Sequence, residues 1–241
     1  METVELQTLL RYRMETPSGI HEDTSDYLIE STAEIIGRTF DGSCEVRLGF
    51  IEFTLIRVSL AGDEGMDLST VLDHDQEIMT LAEALFDPGF REYVKPVQAA
   101  FPETFEHEDI LYVREIKVLP VARGQRVGLS ALYRVARDWD SGCGLVALNP
   151  HPLQCGKYEV DGAEWQRLEL GAFPPDLKSA RERLTHHFGG LGFRKIGESP
   201  YLLRSSKLRQ IPVDELDIRN SVLIPKTILD SQDERRVWFP V

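Results

Sequence analysis

The sequence predicts an α/β protein on a mixed sheet with a parallel strand pair, flanked by helices. Two observations carry that expectation. Between Ile110 and Leu148 an apolar strand-like run, a short basic loop, an amphipathic helical stretch and a second apolar run follow one another, the order of a βαβ unit, whose strands pair in parallel. Around that unit the apolar spacing alternates between strand-like and helix-like segments. With 241 residues, 42% of them apolar, the chain is long enough to bury a core without disulfides or a structural metal.

Taken in order, Asp23 to Ile36 carries Tyr27, Leu28, Ile35 and Ile36 at near-helical spacing, with Gly37 as a stop, and is expected to be a helix. Val46 to Val58 is β-branched and aromatic and is broken at Gly49, which reads as two strands or one long bent strand. A helix is expected from Ser69, its cap, to Phe86, ended by Pro88-Gly89, with a shorter one over Phe90 to Ala100. Ile110 to Val118 is a strand closed by Pro120, Val121 to Gly128 a loop, Leu129 to Trp139 a helix and Leu145 to Leu148 a strand. His151 to Pro175 is irregular and rich in Pro and Gly. A helix over Leu177 to Phe188 ends at Gly189-Gly190, and strands follow at Phe193 to Ile196 and Tyr201 to Arg204. Residues 1–204 form the expected domain, and 205–241 an extended arm.

Forty acidic against 27 basic residues give a net charge of −13, which argues against nucleic acid or an anionic membrane as partner. Cys44, Cys143 and Cys155 form no CxxC pair, as in a reducing compartment. The first residues carry acids and no secretory apolar run, and no stretch approaches the 18 or more apolar residues of a membrane span, so a cytoplasmic protein is expected.

The local exception to the acidity lies between Ile116 and Arg137, where Lys117, Arg123, Arg126, Arg134 and Arg137 occur with no acid. Arg123 and Arg126 sit in a loop that opens a helix, where unpaired N–H groups and the helix dipole favour an anion such as a pyrophosphate. The order of residues narrows this. Val118-Leu119-Pro120-Val121-Ala122-Arg123-Gly124-Gln125-Arg126-Val127-Gly128 resembles the acyl-CoA-binding segment of the GNAT superfamily of N-acyltransferases, with Arg123 and Gly128 on the pattern and its middle glycine replaced by Arg126. Downstream, Phe188-Gly189-Gly190-Leu191-Gly192-Phe193 resembles the end of that family's last major helix. The likeness covers about 111–204.

The resemblance implies a mostly antiparallel sheet whose parallel pair splays, leaving the backbone of Ile116 and Val118 to the pantetheine arm of acetyl-CoA or another acyl-CoA. It implies that Arg123, Gly124, Gln125, Arg126, Val127 and Gly128 hold the pyrophosphate. Glu115 is the expected base for a small-molecule or protein amine. A salt bridge with Arg114 or Lys117 is the structural alternative for that carboxylate. Many relatives place a tyrosine where this chain has Phe188, and phenylalanine has no proton to give. His187, its neighbour His186 or Tyr201 would serve as acid, unless the thiolate is protonated from solvent. Asn149, Tyr158 and Trp165, in a segment longer than the family's, are expected to shape the acceptor pocket. No metal is implied, and the histidines include no HExxH. Two other functions fit the same residues: an acyl-CoA-binding or protein-interaction module without turnover, and an acyltransferase fed by an acyl carrier protein. In the arm, Val222, Leu223, Ile224, Ile228, Trp238 and Phe239 require cover, from the chain's own core or from a second copy in a homodimer.

Overall fold

The computed structural model describes residues 2–14, 24–102, 109–139, 141–156, 158–206 and 220–230. Its strands are β1 (Thr3–Met14), β2 (Leu28–Arg38), β3 (Glu45–Ile56), β4 (Asp109–Val118), β5 (Cys143–Leu148), β6 (Arg194–Lys195), β7 (Leu202–Ser205) and β8 (Ser221–Pro225). They form one mixed sheet in the order β6-β7-β5-β4-β3-β2-β1-β8. β4 and β5 pair in parallel; the other neighbours are antiparallel. The helices are α1 (Val58–Asp63), α2 (Leu68–Leu72), α3 (Gln76–Leu85), α4 (Lys95–Ala100), α5 (Val127–Trp139), α6 (Ala163–Arg167), α7 (Leu177–Gly189) and α8 (Lys226–Asp230).

The sheet separates two apolar cores. On one face Ala131, Leu132, Val135 and Ala136 of α5 and Phe188 of α7 pack against Leu111 and Val113. On the other, Val71, Ile78, Leu81 and Val97 from α2, α3 and α4 cover Ile56, Ile110 and Tyr112. No helix among the described residues is long and apolar enough to cross a membrane.

Three expectations need correction. The helix read over Asp23 to Ile36 is strand β2, and Asp23 lies outside the described residues. Its apolar spacing misleads because β2 lies inside the sheet between β1 and β3, with Ala33, Glu34, Ile35 and Ile36 all buried, so pairing overrides the helix-forming Glu and Ala. The helix expected over Ser69 to Phe86 is two helices. Asp67, not Ser69, caps α2, and Asp75 restarts the chain by accepting from Ile78 N at 2.8 Å. The helix expected over Phe90 to Ala100 is reduced to α4, with Phe90 at a left-handed φ of 50°.

The arm is not simply extended. Residues 221–225 join the sheet beside β1, burying Val222 and Ile224, and Ile228 packs against the same core. The chain therefore covers these side chains itself. Leu223 stays exposed, and Trp238 and Phe239 lie outside the described residues.

Candidate active site

β4 begins as a parallel partner of β5, Asp109 facing Cys143 and, after a register shift past Gly144, Ile110 through Val113 facing Leu145 through Leu148. Its other neighbour then imposes a bulge: Glu52 and Phe53 are consecutive on β3 but oppose Glu115 and Val113, so Arg114 is the extra residue. The guanidinium of Arg114 fixes the bulge by pairing with Asp75 at 2.6 Å, Glu77 at 3.2 Å and Thr54 at 2.8 Å. Tyr112 donates to Glu77 at 2.7 Å from the same side. Burial raises Asp75, but its hydrogen bonds from Ile78 N–H and Arg114 prevail and hold the carboxyl below its ordinary range.

Beyond the bulge β4 keeps its bonds to β3 and loses β5. Leu119 N–H donates to Leu48 O at 2.8 Å, which places the backbone groups of 117 and 119 toward β3. Those of Ile116 and Val118 therefore face away, to the side β5 has left. A cavity of about 590 Å³ opens there. Val113, Ile116, Val118, Leu148 and Asn149 line it from the parted strands, Ala180, Leu184 and Phe188 from one stripe of α7, and Glu77 and Glu115 from the opposite face of the sheet. The cavity thus crosses the sheet where the strands part.

The loop at the Val118 end turns tightly, with Gly124 at φ 74° and Arg126 at φ 60°. Arg126 therefore adopts the left-handed conformation that glycine takes without strain. A Cβ on Gly128 would stand 3.0 Å from a Val118 methyl, so its absence lets α5 approach β4 closely. The first N–H groups of α5 have no partner within the helix, and of the loop only Arg123 lines the cavity.

Arg123 behaves differently from the expectation of a phosphate-binding side chain. Its Nε donates to Val118 O at 2.9 Å, another nitrogen donates to Leu168 O at 2.6 Å, and the group lies over the Phe173 ring. Burial depresses its pKa, with Glu169 acting in the opposite sense. Arg123 ties the end of β4 to the long loop and lines the cavity with its stem. Gln125 is also committed: its carboxamide accepts from Leu223 N–H and donates to Leu223 O, both at 2.8 Å, closing the free edge of β8.

Glu115 is 6% exposed and faces the cavity. Tyr158 donates to it at 2.5 Å, and the Lys117 ammonium lies 3.2 Å from its other oxygen. Lys117 is itself buried, between the rings of Phe50 at 4.6 Å and Tyr158 at 4.9 Å. The salt-bridge reading of Glu115 is met, with Lys117 rather than Arg114 as partner.

Of the other residues named from sequence, Asn149 lines the cavity and Tyr158 reaches it through Glu115. Trp165 does not line it; the indole nitrogen lies against Gly171 inside the loop. None of the acid candidates His186, His187 and Tyr201 lines it either. His187 lies off the Ala180–Leu184–Phe188 stripe, and burial, then the charges of Arg126 and His186, lower its pKa. Tyr201 is in the core of the other face, against the Tyr112 ring at 6.0 Å, and burial pushes it up to about 12. Lys117, named from sequence as a salt-bridge alternative for Glu115, stands two residues on, which puts both on one strand face. His151, passed over from sequence, lines the cavity with Nε2 on Cys155 O at 2.8 Å.

Neither a protein-family model nor a curated protein matches this chain.

Proposed function

We propose that this chain is an N-acyltransferase that moves an acetyl or other acyl group from acyl-CoA to an amine by direct attack. The observation that carries the reading is the cavity that crosses the sheet where β4 leaves β5, with a buried carboxylate on its wall. The Ile116 backbone and the Val118 N–H, which face away from β3, suit an extended amide-bearing arm, Val118 O being held by Arg123, and the turn at 124–128 before α5 suits a pyrophosphate. The resemblance noted in the sequence covers these same elements.

In this reading the donor lies along β4 and the amine approaches from the Glu115 face. Holding the two in line supplies most of the rate. Glu115 takes the amine proton as the nitrogen–carbon bond forms. The carbon–sulfur bond then breaks, its electron pair stays on sulfur, and the thiolate takes a proton from solvent, since Phe188 offers none. A module that binds acyl-CoA without turnover is the second reading, favoured by the Lys117 ion pair that already engages Glu115.

Thiol release from acetyl-CoA, followed across a panel of amines, tests the proposal. Glu115→Gln is expected to lower kcat/KM by about 10²- to 10⁴-fold, the range for a positioned base. Acyl-CoA binding with no thiol released by any amine would establish the second reading instead.

A further inference from the structure

The loop between β5 and α7 does more than border the cavity. Tyr158 comes from this loop, whereas Glu115 and Lys117 come from β4, so their cluster exists only with the loop against the sheet. Two further carboxylates lie near it: Glu52 stands directly opposite Glu115 on β3, and Glu164 of α6, itself paired with Arg167 at 2.5 Å, acts with Glu52 and Glu115 to oppose ionisation of Tyr158. Burial is the largest cause of the raised Tyr158 pKa, so its hydroxyl remains a donor throughout the working pH range. Glu77 lines the same cavity but is occupied by Tyr112 and Arg114, and His151 by Cys155 O. Arg123 and Arg183 also line the cavity, the former held on carbonyls and ring.

A buried carboxyl is fixed in one orientation when a cation and a donor stand beside it. Lys117 supplies the cation at 3.2 Å, and Tyr158 the donor at 2.5 Å. The rings of Phe50 and Tyr158, at 4.6 and 4.9 Å, in turn hold the Lys117 ammonium in place.

We infer that Tyr158 and Lys117 are positioning residues that hold the Glu115 carboxyl turned to the cavity, so that docking of the loop completes the base. The role in turnover rests on the acyltransferase reading; the placement of the carboxyl does not. Tyr158 thereby has a function distinct from lining an acceptor pocket.

The test follows the side-chain carboxyl ¹³C resonance of Glu115, assigned by its loss in Glu115→Gln, at one fixed pH. Tyr158→Phe and Lys117→Met each remove one support while preserving most of the packed volume, and an unchanged far-UV spectrum certifies the fold. The resonance is expected to move in each variant, and Lys117→Arg to restore it. With an amine substrate, kcat falls by up to about 10²-fold, the low end for a positioned base, while the KM for acyl-CoA stays unchanged. A resonance unmoved in either variant overturns the inference. Should the wild type acylate no amine, the acyltransferase reading falls, while the resonance still decides whether these residues hold the carboxyl.

Discussion

Replacing Gly49 by alanine would place a methyl group where β4 already stands. The new Cβ would lie 2.1 Å from Lys117 O and 3.1 Å from Val118 Cα, both backbone atoms that no rotamer change can move aside. A carbon–oxygen contact settles near about 3.3–3.6 Å, so the strands must part by more than about 1 Å. Parting them weakens the ladder around the Phe50–Lys117 pair and the 2.8 Å bond from Leu119 N–H to Leu48 O. Adding the strain of an overfilled site to the weakened bonds gives a loss of about 3 kcal/mol. For a chain of this size that lowers Tm by about 6–12 °C. Calorimetric melting and guanidinium unfolding measure it, and a fall of less than about 2 °C would falsify the close approach of β3 and β4. The same displacement moves Ile116 and Val118, so ligand affinity at the cavity is expected to fall with stability.

Three other perturbations follow from the same geometry. Arg126→Gly relieves a left-handed φ and is expected to stabilise the chain by about 1 kcal/mol in guanidinium unfolding; a destabilised variant would refute the conformation of the turn. Gln125→Ala releases both backbone groups of Leu223, so hydrogen exchange at that amide should rise about tenfold, matching the loss of a bond worth about 1 kcal/mol or slightly more, and unchanged exchange would count against the clamp. His187 is depressed by burial first, so the folded state binds fewer protons than the unfolded one below the ordinary histidine range. Its contribution to stability is complete above about pH 6.5 and is lost as pH falls through the lower folded value. Unfolding at pH 7.5 and 5.5 should show a smaller acid loss in His187→Asn than in wild type, and equal losses would contradict the sign.

The sequence was most legible where local pattern and tertiary role agree. β4, α5, β5 and α7 lie close to their expected bounds, because an amphipathic helix between two apolar strands has one way to bury its stripe. β2 was misread because its neighbours cover both sides, leaving no alternation to detect. β8 was read as arm, since a five-residue strand paired only with the distant β1 has no local signature. At the site, the loop and strand were legible from residue order, and Glu115 from its strand. Arg123 was not, because two carbonyls and a ring far along the chain decide where its guanidinium goes. The bulge at Arg114 was equally hidden, being set by the register of β3 and not by Arg114 itself.

The central claim is that the gap between β4 and β5 receives acyl-CoA. It is tested most directly by calorimetric titration of acetyl-CoA and CoA into wild type and Asn149→Trp, which fills the gap where β5 ends. Micromolar binding in wild type that disappears in the variant is the predicted result. No heat with either ligand, or equal affinity in both proteins, would contradict it.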